Sequence, residues 1–349
     1  MHALELFNVP GQLNRLYISK YMKNRRKTLI NSAQAAIGLI AFPGLLQAQS
    51  AADKPIRIIV PFAPGAGTDA VGRLMAQKMS EVLGQPVVVD NKTGASGAIG
   101  ARYVADSAPD GLTLLLAAAP FTTVPAAVAG AGYDPVSQFA AVGMIASGPL
   151  VWAVNRDLPV GNLRELVALA KAKPGALNYG SAGAGGINHL VLEMLKNRSN
   201  SFITHIPYRG IAPATMDMIG GQIHLVTGTV PALNPFIKDG RVRALAVTSA
   251  KRSSALPDVP SMAESGFAGF DVLNYFGLMA PKATPAATIE RLNAAITRVV
   301  ALADVRARFA ADALESVAGT PGQLAAFIER DYVGWQRVVA AQNLKMETA

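Results

Sequence analysis

The segment with the most chemical potential is Pro61-Phe62-Ala63-Pro64-Gly65-Ala66-Gly67-Thr68-Asp69. It joins a β-branched run, Ile56 to Val60, to a stretch with apolar residues at helical spacing (Val71, Leu74, Met75, Met79, Val82). Glycines let such a turn gather backbone N–H groups, and the helix that follows adds the partial positive charge of its N-terminus. Together they make an anion site. Two prolines stiffen the loop beyond the needs of a plain turn. The simpler alternative is a strand-to-helix turn in which Thr68 or Asp69 caps the helix and Asp69 pairs with Arg73 one turn later. A second loop, Asn178-Tyr179-Gly180-Ser181-Ala182-Gly183-Ala184-Gly185-Gly186, repeats the design, with His189 in the first turn of the next helix. Ligands of open α/β sheets bind at the carboxyl ends of the strands, where both loops lie, so the two helix starts are expected to face each other across a cleft.

Enzymatic chemistry has less support. Gly65-Ala66-Gly67-Thr68-Asp69-Ala70 matches the dinucleotide pattern G-x-G-x-x-A, and Asp90 follows Ala70 by 20 residues. A secreted α/β enzyme, a hydrolase or dinucleotide-binding protein using the Gly65–Ala70 loop, is therefore the rival reading. Against it, Phe62-Ala63-Pro64 separates the strand from glycines that should follow it at once. Around Ser181 the nucleophile pattern G-x-S-x-G fails at Tyr179, and around Ser96 it fails at Ala98. Neither serine has an evident His–Asp pair, and His205, in a buried strand, reads as structural. No lysine of the phosphate-loop type follows either glycine loop. The histidines at 189, 205 and 224 have neither H-x-H nor H-x-x-x-H spacing, and there is no cysteine. No metal, cofactor or catalytic residue is expected.

The elements that position these loops alternate strand and helix. Strands are expected at 56–60, 86–89 and 112–116, with helices at 70–83 and 99–106. A second array places helices at 163–171, 187–196, 212–219 and 232–238 among strands at 177–180, 202–206, 223–226 and 242–247. The tail reads as helices over 285–301, 305–310 and 321–342, with Thr284 and Thr320 as N-caps and proline at the first position of the first and third. At 349 residues the chain suits two cores. The expected fold class is α/β: two lobes with mostly parallel sheets flanked by helices. Lobe 1 is discontinuous, 53–153 plus 274–349, and lobe 2 covers 154–273. Two chain crossings make a hinge suited to closure around a ligand.

The net charge of +9 is concentrated at the start. Six of the 32 basic residues and one of the 23 acidic ones fall within 1–50, which leaves 26 and 22, a net of +4 without a run of like charge. That suits an anionic small molecule and not a nucleic acid. Met22-Lys23-Asn24-Arg25-Arg26-Lys27 is a positive n-region before an apolar stretch from Leu29 to Leu46 and small residues around 47–52. It reads as a cleaved export signal, with polar and proline breaks that dilute it as a membrane span. Arg25-Arg26 admits the twin-arginine route beside the general secretory one, although Thr28 stands where a bulky apolar residue is usual. Residues 1–21 fit neither signal nor domain, and Met22 is the expected start. A periplasmic monomer is expected.

Several segments together resemble the Bug-type substrate-binding proteins of tripartite tricarboxylate transporters, over nearly the whole chain from Lys54. They are IRIIVPFAPGAGTDAVGRLMA (56–76), DNKTGASGAIGA (90–101), APDGLTLLLA (108–117), LNYGSAGAGGINHL (177–190), HIPYRGIAPATMDMIGGQIHL (205–225) and the stretch 240–267. The resemblance implies a periplasmic Venus-flytrap fold that clamps one small carboxylate and hands it to a membrane transporter or sensor partner. It implies ligand contacts at Phe62, Gly65, Gly67, Thr68 and Asp69 in the first loop, at Ser181, Gly185 and His189 in the second, and at Tyr208 nearby. Ala66 stands where the family has glycine, His224 where it has aspartate, and Gly228-Thr229 where it has a more polar pair. The last two bear on the ligand's side-chain end. The apolar run Ala117 to Phe121 favours an aromatic or aliphatic acid.

Overall fold

The computed structural model describes residues 54–65 and 67–344. The export segment and the Ala66 departure lie outside them. The first array runs β1 (Ile56–Val60), α1 (Gly67–Leu83), β2 (Val87–Asn91), α2 (Ala98–Ala105), β3 (Thr113–Ala118) and α3 (Pro120–Ala127). Here β1 lies parallel to both β2 and β3. After β4 (Phe139–Asn155) the second array follows: α4 (Leu163–Ala172), β5 (Asn178–Ser181), α5 (Ile187–Ser199), β6 (Thr204–Pro207), α6 (Ile211–Ile219), β7 (Leu225–Thr229), α7 (Val230–Lys238) and β8 (Val242–Val247). There β5 lies parallel to β6 and β7. The chain returns through β9 (Leu273–Pro281), α8 (Ala286–Ala301), α9 (Ala303–Ala311), β10 (Glu315–Ser316) and α10 (Pro321–Ala341).

The strand order is β2-β1-β3-β9-β4-β7-β5-β6, with β8 and β10 also paired to β4. The βα arrays are parallel as expected, but β9 and β4 pair antiparallel with each other and with their other neighbours. The reason is topological: β4 carries the chain out of the first array, and β9 brings it back. Phe139–Pro149 of β4 pairs with β9, and Leu150–Val154 pairs with β7. The exchange falls at Pro149, which has no N–H to continue a ladder.

Side chains of β4 alternate between layers, as a pleated strand requires. Leu150, Trp152 and Val154 join one core cluster and Val151 and Ala153 another. β1 and β3 do the same, sending Ile59 and Leu115 to one face and Ile58 and Leu114 to the other. Each sheet is therefore covered by helices on both sides. The tail helix α10 packs Leu324, Ile328, Trp335 and Val339 into the cluster that holds Phe121 and Val124. Its start is a capping box between Thr320 and Gln323, with Pro321 at the first position, as the sequence suggests. The expected cap of α8 differs. Pro285 is the N-cap, because the Thr284 hydroxyl donates to the Pro281 carbonyl at 2.8 Å instead.

Candidate functional site

In the first loop, Gly65 takes φ +81°, which turns its N–H onto Asp69 Oδ2 at 2.9 Å. The same oxygen accepts from Arg73 Nε at 2.8 Å, and Oδ1 accepts from Asn91 Nδ2 at 2.9 Å. Asn91 Nδ2 also donates to the Phe62 carbonyl at 2.9 Å. Burial alone would raise the Asp69 carboxyl, but these bonds from Arg73, Gly65 and Asn91 outweigh it and hold the group below the ordinary carboxylate range. Asp69 is thus consumed in ordering the loop. That leaves Gly67 and Thr68, at the start of α1, on the wall of a small inner chamber of about 40 Å³.

Five helices begin on that wall. α1 starts at Gly67, α3 at Pro120, α5 at Ile187 and α6 at Ile211, while Thr229 is the N-cap of α7. Thr68, Asn188, Thr229 and Asn274 are its polar side chains, and no charged residue lines it. The Thr229 Oγ1 is buried without a hydrogen-bond partner, so one donor or acceptor in the chamber is unsatisfied. Asn274 Oδ1 holds the Ala119 N–H at 3.0 Å, which fixes the entry to α3. Ala118 and Pro120, from the apolar run noted in the sequence, complete the floor.

A larger outer chamber, about 330 Å³, adjoins the inner one at Phe62 and Ala182, which line both. Its walls include 93–98 and Arg102 from the first array, Val124 of α3 and Val128 just after it, and Ala182–Ala184 and Pro207–Gly210 from the second. The arrays touch here. Ser96 Oγ donates to the Ala184 carbonyl at 2.8 Å, and a Cβ at Gly183 would overlap Ser96 Oγ. Around the inner chamber, a Cβ at Gly67 would overlap Thr229 Oγ1. The loops face each other in a closed arrangement that only glycine permits at these approaches.

Ser181, Gly185 and His189 line neither chamber; they build the second loop from below. Gly185, at φ +71°, donates its N–H to His189 Nδ1 at 3.2 Å. The His189 ring stacks on His205 with centroids 3.8 Å apart. Ser181 is fully buried; its Oγ lies 2.6 Å from His205 Nε2 and accepts from the Gly183 N–H at 3.1 Å. The structure therefore does bring a histidine to Ser181, which sequence spacing did not suggest. No acid sits on the other nitrogen of His205 among the described residues, and the hydroxyl is inaccessible, so the pair is scaffolding. Burial, then the charges of His205 and Lys196, bring His189 down to about 3. Burial brings His205 down to about 4. Glu193 Oε1, 3.7 Å from His189 Nε2, therefore faces a neutral ring at pH 7 and is engaged by Tyr179 and Lys196 instead, each at 2.7 Å. Tyr208 lines the outer chamber and anchors its hydroxyl on Asp217 at 2.8 Å. His224 bonds to Asn178 and lines neither chamber.

Asn188, Asn274, Arg102 and Arg209 were not singled out from sequence, and Ser96 was weighed only as a nucleophile. Asn188 adjoins His189 in the first turn of α5, so the second loop did carry a signal for it. Asn274 sits on a strand whose role emerges only from pairing.

A profile for the tripartite tricarboxylate transporter family receptor matches residues 71–344. The Protein BugT of Bordetella pertussis is 36% identical over 319 residues, 90% of this chain and 98% of its own. The solved periplasmic binding protein BugD superposes with a TM-score of 0.81 at 34% identity, covering 84% of this chain and 99% of that one. The R. palustris protein Rpa4515, solved with adipate, gives 0.80 at 32% identity, with 83% and 97% covered. The fold is thus the two-lobed binding-protein α/β fold, and the molecule is a receptor rather than an enzyme. The chain belongs to the tripartite tricarboxylate transporter receptor family.

Proposed function

We propose that this protein is an extracytoplasmic solute receptor that holds one carboxylate in the inner chamber while its two lobes are closed. The observation that carries the reading is the convergence of five helix starts, with an unpartnered Thr229 hydroxyl, on a chamber without a charged side chain. Helix N-termini favour an anion, and N–H and hydroxyl donors fix its orientation. Each charge-assisted bond is worth about 1.5–3 kcal/mol, so four give roughly 6–12 kcal/mol before ordering losses. Micromolar affinity needs about 8 kcal/mol. In this reading Gly67, Thr68 and Phe62 contact the ligand, with Tyr208 at its far side. Gly65, Asp69, Ser181, Gly185 and His189 shape the loops that do so.

In this reading the lobes are 53–153 with 274–349 and 154–273, and the two crossings between them run through β4 and into β9. Export through the segment after Met22 would deliver the protein to the periplasm, the setting named for BugD. There it would serve a membrane transporter or sensor as a monomer. Adipate in Rpa4515 supports a small aliphatic acid as ligand. A thermal-shift screen tests the reading. At a hundredfold excess over Kd a ligand adds about 2.7 kcal/mol, a rise of several degrees. Small carboxylates should give it, and sugars and NAD should not. Stabilisation by NAD alone would return the Gly65–Ala70 loop to the dinucleotide reading.

A further inference from the structure

α3 depends on its neighbours for its position. Pro120 opens it on the inner chamber and Val124 reaches the outer one, yet prolines and threonines fill four of its eight places. Pro125 has no N–H for the Phe121 carbonyl, which accepts from the Tyr133 hydroxyl at 3.0 Å instead. In the first turn the Ala119 carbonyl already takes the N–H groups of Thr122 and Thr123, each at 3.1 Å. The Thr122 hydroxyl lies 3.0 Å from that carbonyl, but closer, at 2.5 Å, to Asp331 Oδ2 of α10, the length of a charge-assisted bond.

Asp331 sits where packing alone would put an apolar residue. It falls between Ile328 and Trp335 on the stripe that buries Leu324, Ile328, Trp335 and Val339. Burial raises its carboxyl above the ordinary range, against the bonds from Thr122 and Trp335. A carboxyl there costs stability that a leucine would not.

We propose that Asp331 is a positioning residue for the bound carboxylate: through Thr122 it fixes the first turn of α3, and with it the helix start that faces the inner chamber. This rests on the carboxylate reading and adds to the binding machinery a tail helix that lines neither chamber. Asn274 of β9 holds the same turn through the Ala119 N–H, so both anchors come from the returning part of the chain. The other end of α3 matters as well, because a Cβ at Gly185 would overlap Val128 just after it, and a tilt of α3 therefore reaches the second loop.

Calorimetry with acetate, succinate, adipate and benzoate tests this, beside urea unfolding without ligand. T122V and D331L should each weaken the tightest of these acids about tenfold or more, while D331L unfolds at or above the wild-type urea midpoint. T122S and D331N keep the hydroxyl and an acceptor for it, and should bind within about threefold of wild type. The double variant of T122V and D331L should bind no more weakly than D331L alone, since both remove one bond. I328V thins the packing of the same helix but leaves the bond, so it should lower the midpoint and keep affinity within about twofold. Wild-type affinity in T122V and D331L would refute the positioning role while the carboxylate reading stands. An equal loss in I328V would refute it too, by making packing of α10 the cause. If none of the four acids binds wild-type protein that circular dichroism shows to be folded, the carboxylate reading fails, and the positioning role fails with it.

Discussion

Acidification should loosen the second loop through His189. Its Nδ1 accepts the Gly185 N–H at 3.2 Å, so the ring proton sits on Nε2. Protonation would set a donor against the Gly185 donor and place a charge in a buried stack with His205. An unfolded histidine titrates near 6.5, whereas burial and its neighbours bring His189 down to about 3 and His205 to about 4. For a depressed histidine the sign is fixed. Above about pH 6.5 both states are neutral and stability is unaffected. Below it the unfolded chain binds protons that the folded one refuses, so stability falls until the folded values are reached. At pH 5 the gap is about 1.5 units, about 2 kcal/mol for one histidine and up to about 4 for both. Urea unfolding at pH 7, 6 and 5 measures it, against the double variant His189→Asn and His205→Gln, which offers acceptors that do not titrate. Wild type should lose about 2–4 kcal/mol more than the variant between pH 7 and 5. Equal losses in the two proteins would refute the assignment, since carboxylates such as Asp69 titrate in both.

Thr229→Val should raise the stability of the ligand-free protein by about 1 kcal/mol, by removing an unsatisfied buried hydroxyl, and yet weaken carboxylate binding. Urea unfolding and calorimetry together check this, and unchanged affinity would remove Thr229 from the site. Gly67→Ala should leave stability within about 1 kcal/mol but reduce affinity about tenfold or more, because the new methyl meets Thr229 only in the closed form. Small-angle scattering should then show a larger radius with ligand present, and adding Thr229→Ala should restore closure. Asp69→Asn should cost about 1–2 kcal/mol, whereas Arg73→Ala should cost less than about 1, since the Arg73 side chain is 56% exposed and the buried bonds to Gly65 and Asn91 do the ordering. Equal effects of the two substitutions would make the ion pair the main contribution.

The βα arrays were legible because each strand and helix carries its own periodicity, and helix ends at Thr320 and Gly186 carry local turn chemistry. β4 was not legible. Gly143, Gly148 and Pro149 interrupt its pattern, and it survives as one 17-residue strand because β9 and β10 hold its first part and β7 and β8 its second. α3 hid for the opposite reason: Pro120, Thr122, Thr123 and Pro125 are poor helix formers, and the segment is helical through burial of Phe121 and Val124 and a bond from Thr122 to Asp331. At the site, sequence found the loops but could not separate the residues facing the ligand from those beneath them. A glycine loop advertises Ser181 and Thr68 equally. Only the pleat of β5, which turns Ser181 toward His205, and the start of α1, which leaves Thr68 on the chamber wall, distinguish them.

That division of labour explains why the closing surface is made of small residues. Among the described residues, the approaches of Gly67 to Thr229 and Gly183 to Ser96 set a glycine backbone against a small hydroxyl side chain. The Ser96–Ala184 bond adds one ordinary hydrogen bond, worth about 1 kcal/mol net. In the proposed reading, contacts of this size leave the closed state dependent on what occupies the chambers between the lobes. A ligand shifts such an equilibrium only by its differential affinity for the two forms. Here the difference is large by construction. The helix starts at Gly67 and Pro120 belong to the first array and those at Ile187, Ile211 and Val230 to the second, so an anion reaches both sets only when the lobes are together. In that reading, small contacts at the rim and shared dipoles at the centre make closure a report of occupancy.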